Sequence, residues 1–199
     1  MKNVSEALTK KQILEATEET LRRYGAAKTS ITDVAKALNV SHGTIYRHFK
    51  SKKEIFEEAT QMWLDEKIFK PLTGVYHDSS REGPAHVKAY IKKLFELKRY
   101  YAMKDEELFA MYAKVTNESP ELVDESISNI VEQLSGLIDR CSDCANDPVE
   151  VAKGIFYATE RFHHPAHANE WKRDTIEQEF DIVWGLLEKG YLKHGEGGG

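Results

Sequence analysis

Apolar residues along this chain recur at intervals of three and four, and no stretch alternates with a period of two over a useful length, so every strong signal is helical. The first helix begins after Thr9. The run TKKQ at 9–12 reads as a capping box; Ile13, Leu14, Ala16, Thr17, Thr20, Leu21 and Tyr24 form the apolar face, and Gly25 ends it. A second helix follows Ser30, with Asp33 three residues on, and a third, short one follows Ser41. The fourth opens on a second capping box, Ser51 with Glu54. It carries Ile55, Phe56, Ala59, Met62 and Trp63 to about Lys70, where Pro71 and Gly74 interrupt it. Residues 72–83 are polar and read as a loop.

Beyond the loop, Pro84 can occupy a first helical turn ahead of the stripe Val87, Ile91, Leu94 and Phe95. Further helices are expected over about 105–117, after SPEL at 119–122, from Asp147-Pro148 to a break at Pro165, and over about 170–190. The expectation is an all-α chain of about nine helices: a helix-turn-helix domain at 1–53, a larger helical bundle at 54–194 and a flexible tail at 195–199.

Composition adds boundaries. Of 199 residues, 41% are hydrophobic and 31% charged; no apolar run approaches the ~18 residues of a membrane span, and the start lacks a signal peptide's apolar core. A cytoplasmic protein without membrane contact is expected, its two cysteines, Cys141 and Cys144, reduced. The net charge of −5 argues weakly against nucleic acid, but residues 1–53 hold eleven Lys/Arg against five Asp/Glu, and the excess acid lies beyond. A basic head on an acidic body fits a head that meets phosphates.

Residues 29–53 meet the demands of a helix-turn-helix. The small Ala35 lets two helices cross, Asn39 tolerates the left-handed turn four residues later, and Val34, Leu38, Val40, Ile45 and Phe49 can lock the pair. The recognition helix, about 42–48, offers Gly43 for close approach and Thr44 and Arg47 to base edges. Thr29, Ser30, Ser41, His42, Tyr46, His48, Lys50 and Lys52 complete the candidate DNA contacts, most of them as phosphate donors. The alternative is an ordinary helical hairpin with solvated charges.

The segment TSITDVAKALNVSHGTIYRHFKSKKEIF resembles the DNA-binding domain of the TetR family of bacterial transcriptional regulators. The resemblance covers roughly 55 residues and implies an all-helical homodimer, a palindromic double-stranded operator, repression, and a C-terminal domain that takes a small effector. It also implies phosphate contacts for Thr29, Ser41, Tyr46, His48 and Lys52, with Gly43, Thr44 and Arg47 near bases.

The body is less explicit. Ile155, Ile176, Phe180, Val183, Trp184 and Leu187 are candidates for a dimer interface through the last two helices; alternatively the same stripes are consumed inside one subunit. Trp63, Tyr90, Phe95, Tyr101, Phe109, Tyr112, Phe156 and Phe162 are candidate lining for a small apolar or aromatic effector, each also readable as plain core. A rival reading is a metal- or thiol-responsive regulator using Cys141 and Cys144 with His163, His164 and His167, although the spacing is irregular and Cys141 fits an apolar stripe. No cofactor or metal site is assigned. No nucleophile motif or Gly-rich phosphate loop supports catalysis.

Overall fold

The structure is a computed structural model that describes residues 8–142, 144 and 147–192; the expected tail at 195–199 lies outside them. Regular structure among the described residues is helical, apart from an isolated bridge between Cys144 and Leu192. The helices are α1 Lys10–Tyr24, α2 Ile31–Ala37, α3 His42–Tyr46, α4 Lys52–Leu64, α5 Lys70–Tyr76, α6 Gly83–Lys104, α7 Glu106–Glu118, α8 Pro120–Asp139, α9 Pro148–Ala158 and α10 Ile176–Tyr191. No helix among the described residues is long and apolar enough to cross a membrane.

Local chemistry sets most helix ends. Thr9 and Gln12 form the expected reciprocal cap of α1, and Gly25 closes that helix at φ +79°. Thr17 and Thr20 lie on the buried face because their hydroxyls return to the carbonyls of Ile13 and Ala16, at 2.8 and 2.6 Å. Ser51 accepts the Glu54 amide as expected, but the Glu54 carboxylate reaches the Lys50 amide instead of that of Ser51, so the second box is only half formed.

Pro71 does not end its helix. A π-helical turn, Asp65–Phe69, runs directly into α5, and Pro71 falls in the first turn of α5, where its fixed φ is already helical. Residues 72–76 are therefore helical, and the loop contracts to 77–82. The last helix also starts later than expected, after a short 3₁₀ turn at Glu170–Lys172.

The chain divides into two compact units, Met1–Asp65 with Lys104–Pro120, and Glu66–Met103 with Glu121–Gly199. In the first, α1 packs against α2, α4 and α7 around Ile13, Leu21, Ile45, Ile55 and Trp63. In the second, Phe95, Phe162, Phe180 and Trp184 form a run of aromatic contacts with ring centroids 5.3–6.1 Å apart.

That core corrects the expected interface. Ile155, Ile176, Phe180 and Trp184 are buried within the subunit, and Val183 and Leu187 are half-buried. The stripe from Ile176 to Trp184 is an inner face. On the outer side of α9 and α10, Tyr157, Ile182 and Leu186 are 57–69% exposed. The cysteines are also not free: Cys141 and Cys144 are joined in a disulfide, just beyond the end of α8.

Candidate nucleic-acid interface

The hairpin of α2 and α3 is built from a few local devices. Ser30 caps α2 reciprocally with Asp33: its hydroxyl donates to the carboxylate at 2.5 Å, and these bonds hold the Asp33 carboxyl below its ordinary range. Between the helices, Asn39 takes φ +53°, and the Val40 amide donates to the Ala35 carbonyl at 3.0 Å. Val34, Ala35, Ile45 and Phe49 are buried where the helices cross, so the outer face of α3 is presented at a fixed angle. The helix ends at Tyr46, two residues earlier than expected, and Arg47 and His48 continue in a turn.

The exposed face of α3 is organised by hydrogen bonds within the chain. Ser41 accepts the Thr44 amide at 3.1 Å, the two hydroxyls lie 2.8 Å apart, and the Arg47 guanidinium donates to Thr44 Oγ1 at 3.2 Å. These contacts hold three candidate groups in one row. His42 stands edge-on to Tyr46 at 4.8 Å. At Gly43 an added Cβ would meet nothing closer than Ser41 Oγ, at 3.9 Å. The glycine is thus not required by packing within the chain; it leaves backbone open to approach from outside.

Ser41, His42, Gly43, Tyr46, Arg47 and Lys50 are exposed, and Ser30, Thr44, His48 and Lys52 are half-buried. Thr29 departs from the expectation of a phosphate donor. It is buried, and its hydroxyl already donates to the Gly25 carbonyl at 2.9 Å. Its carbonyl accepts from Lys52 Nζ at 2.5 Å, while that ammonium also sits 4.9 Å from the centre of the Phe56 ring. Thr29 therefore positions Lys52. Lys114 on α7 joins Lys52 and Lys53 around a cavity of about 220 Å³. No local pattern in the sequence could have placed it there, because α7 reads as an ordinary amphipathic helix of the body.

The candidate effector residues are not brought together. Trp63, Phe109 and Tyr112 pack on one another in the first unit, with centroids 5.4–6.4 Å apart. Tyr90, Phe95, Phe156 and Phe162 are buried in the second, and Tyr101 stacks edge-on with Tyr100. The two cavities described in that unit, of about 500 and 580 Å³, are lined by none of the eight.

The histidines are equally dispersed in role. His163 is buried against the Phe156 ring, its Nε2 lies 3.2 Å from the Phe156 carbonyl, and burial drives its pKa down to about 3. His164 accepts the Ala166 amide, and His167 contacts Glu170 at 2.7 Å. Among the described residues no group of His, Cys, Asp or Glu could hold a metal ion, so the metal reading is not favoured.

Comparison with known proteins bears on both halves. Residues 13–59 match the family model "Bacterial regulatory proteins, tetR family", and residues 83–184 match "Tetracyclin repressor-like, C-terminal domain". Over 81 residues the chain is 35% identical to the "Probable acrEF/envCD operon repressor" of Escherichia coli (strain K12), which covers 37% of this chain and 36% of that protein. It is 39% identical over 49 residues to the HTH-type transcriptional regulator TtgR of Pseudomonas putida, 25% of this chain and 23% of that one. The matches thus span about a third or less of these relatives' length. In fold, the chain is similar to SmeT, the repressor of the Stenotrophomonas maltophilia multidrug efflux pump SmeDEF (TM-score 0.62, 17% identity, 94% of this chain and 92% of that one). It is also similar to BioQ crystallised with its double-stranded DNA operator (TM-score 0.61, 16% identity, 92% and 99%).

Proposed function

Because the chain belongs to the tetR family of bacterial regulatory proteins, we propose that it is a cytoplasmic homodimeric repressor that binds a palindromic DNA operator through α3 and leaves it when a small organic effector enters the second unit. The observation that carries the DNA-binding reading is the row of Ser41, Thr44 and Arg47 along and at the ends of α3, held by mutual hydrogen bonds, with no carboxylate among the described residues answering the guanidinium. Arg47 suits bidentate contact with a guanine, and Lys50 and Lys52 suit flanking phosphates. Tyr157, Ile182 and Leu186, with Val149, are exposed apolar groups of α9 and α10 that a second copy could cover. A dimer with its recognition helices ~34–36 Å apart would read two half-sites one turn apart.

The test is selection of bound DNA from a random pool, followed by titration of the recovered site. Arg47→Ala should lower affinity for that site by roughly 1–3 kcal/mol and relax base preference at one position. Lys52→Ala should weaken binding evenly on specific and random DNA. Equal losses for both variants on both DNAs would overturn the assignment of Arg47 as the reader.

A further inference from the structure

We propose that the cleft between the loop 77–82 and the C-terminal end of α8 is a binding site for an organic carboxylate, with the Arg140 guanidinium as its anchor. The cavity there is about 580 Å³, within the range of small-molecule sites, and is walled by Tyr76, Pro84, Leu137 and Arg140 among others. Arg140 is placed from two directions. Its Nε donates to the Gly136 carbonyl at 2.9 Å, and its guanidinium lies over the Tyr76 ring at 4.5 Å. Tyr76 can lie this close to α8 because residue 136 is glycine: a Cβ there would meet the Tyr76 hydroxyl at 2.7 Å.

What distinguishes Arg140 is the lack of a carboxylate partner. The other arginines of this unit, Arg81, Arg99, Arg161 and Arg173, are all ion-paired, whereas no carboxylate of the described residues pairs with Arg140. Within the same cleft Asp78 is already answered by Arg81 at 3.0 Å and by Ser80. A fixed, planar cation with its outer edge open matches a carboxylate bidentately, and the Pro84–Leu137 wall suits an apolar body attached to it. Glu82, also on the lining, sets a limit on how much negative charge the site accepts.

As the site of the effector, the cleft rests on the regulatory reading above; as a ligand site it does not, and the experiment separates the two. Benzoate and its neutral isostere benzamide are titrated into the full chain at constant ionic strength, with binding read by saturation-transfer NMR. Benzoate should bind at least about tenfold more tightly than benzamide, and Arg140→Gln should remove that difference. Gly136→Ala should weaken benzoate by displacing Tyr76, and Glu82→Gln should strengthen it. Arg140 is exposed, so Arg140→Gln keeps the fold even if Gly136→Ala does not. Equal affinity for the two probes, no binding to the unaltered chain, or benzoate binding unchanged in Arg140→Gln overturns the site. If benzoate binds through Arg140 but leaves operator affinity unchanged, the ligand site stands and its role as effector site falls.

Discussion

Apart from Arg140, the arginines of the second unit stand in circumstances opposite to those of Arg47 in the recognition hairpin. Around α3, Arg47 has only the Thr44 hydroxyl as a polar partner, and the Lys50 ammonium has no carboxylate within ion-pair distance among the described residues. In the second unit, Lys88 pairs with Asp181 at 2.8 Å and Arg99 with Glu177 at 2.8 Å. Arg161 lies between Glu170 and Glu179, at 2.7 and 2.8 Å. Those pairs raise the Arg161 pKa, chiefly through its hydrogen bond with Glu170, and lower that of Glu170, chiefly through its bond with His167. Exposed pairs of this kind contribute little to stability, but they cancel the field that would draw an anion. The hairpin leaves Arg47 and Lys50 without an ion-paired carboxylate among the described residues. Net charge, negative for the whole chain, hides this; the distribution of partners reveals it.

The contrast between inward and outward faces can be tested most forcefully on α10. Phe180→Ala should cost about 3–5 kcal/mol of unfolding free energy, because a fully buried ring leaves a cavity. Ile182→Asp with Leu186→Asp, on the exposed face, should leave each subunit's helical content intact but give monomers in sedimentation and abolish tight operator binding. If the double variant unfolds the subunit, or remains dimeric, the outer face of α10 is not the interface.

Within the hairpin, the comparison separates groups that serve the fold from groups that face outward. Thr29→Val leaves a buried, previously bonded site without its hydroxyl and should cost roughly 1–3 kcal/mol of stability. Lys50→Ala should leave stability within about 0.5 kcal/mol and reduce the salt dependence of DNA binding by about one counterion. A Thr29→Val protein of normal stability and reduced salt slope would return Thr29 to the phosphate contacts.

The second unit also buries cationic groups, and these make its stability depend on pH. Burial lowers the Lys98 pKa from 10.5 to about 7 and that of His163 from 6.5 to about 3. In each window the unfolded chain binds the proton and the folded chain does not, so stability falls as pH falls, from 10.5 towards 7 for Lys98 and from 6.5 towards 3 for His163. Denaturant melts across these ranges should show slopes approaching one proton per group. Lys98→Met should flatten the upper window and His163→Gln the lower. A slope of opposite sign would mean that the charged forms are stabilised inside the fold.

Much of the hairpin was legible because its instructions are local. Thr9, Ser30 and Ser41 cap helices by reaching three residues along the chain, and Asn39 marks its own turn. The faces of α10 were not legible in the same way. Ile176, Phe180 and Trp184 recur every four residues, and that spacing is identical for a core stripe and an interface stripe; the packing of Phe95 and Phe162 against Phe180 decides. The aromatic candidates failed for a related reason. Trp63 and Phe109 are distant in sequence, and nothing local says that α7 packs with α4 beside the hairpin rather than within the body. Arg140 is silent in the sequence because a lone arginine after a helix carries no pattern; its interest comes from Tyr76, which is remote, and from Gly136, whose role only packing reveals.

A small effect is expected at the turn that aims α3. Asn39 is the non-glycine residue with positive φ among those described, at +53°. Asparagine tolerates this left-handed region because its short polar side chain can bond locally; alanine there pays the clash between Cβ and the following carbonyl. Asn39→Ala should therefore destabilise the protein by about 1 kcal/mol. Asn39→Gly removes the clash but gives the unfolded chain more freedom, and the two effects oppose each other, leaving stability within about 0.5 kcal/mol. Operator affinity adds a second reading. A stiff turn holds the row of Ser41, Thr44 and Arg47 at a fixed angle to α2, so the glycine variant should melt normally yet bind its site a few-fold more weakly, with the loss mainly in dissociation rate. Thermal melts and DNA dissociation kinetics of the two variants decide it. An alanine variant as stable as the native chain would show that the turn carries no strain, and a glycine variant with unaltered dissociation would show that the angle of α3 is set by Val34, Ile45 and Phe49 alone.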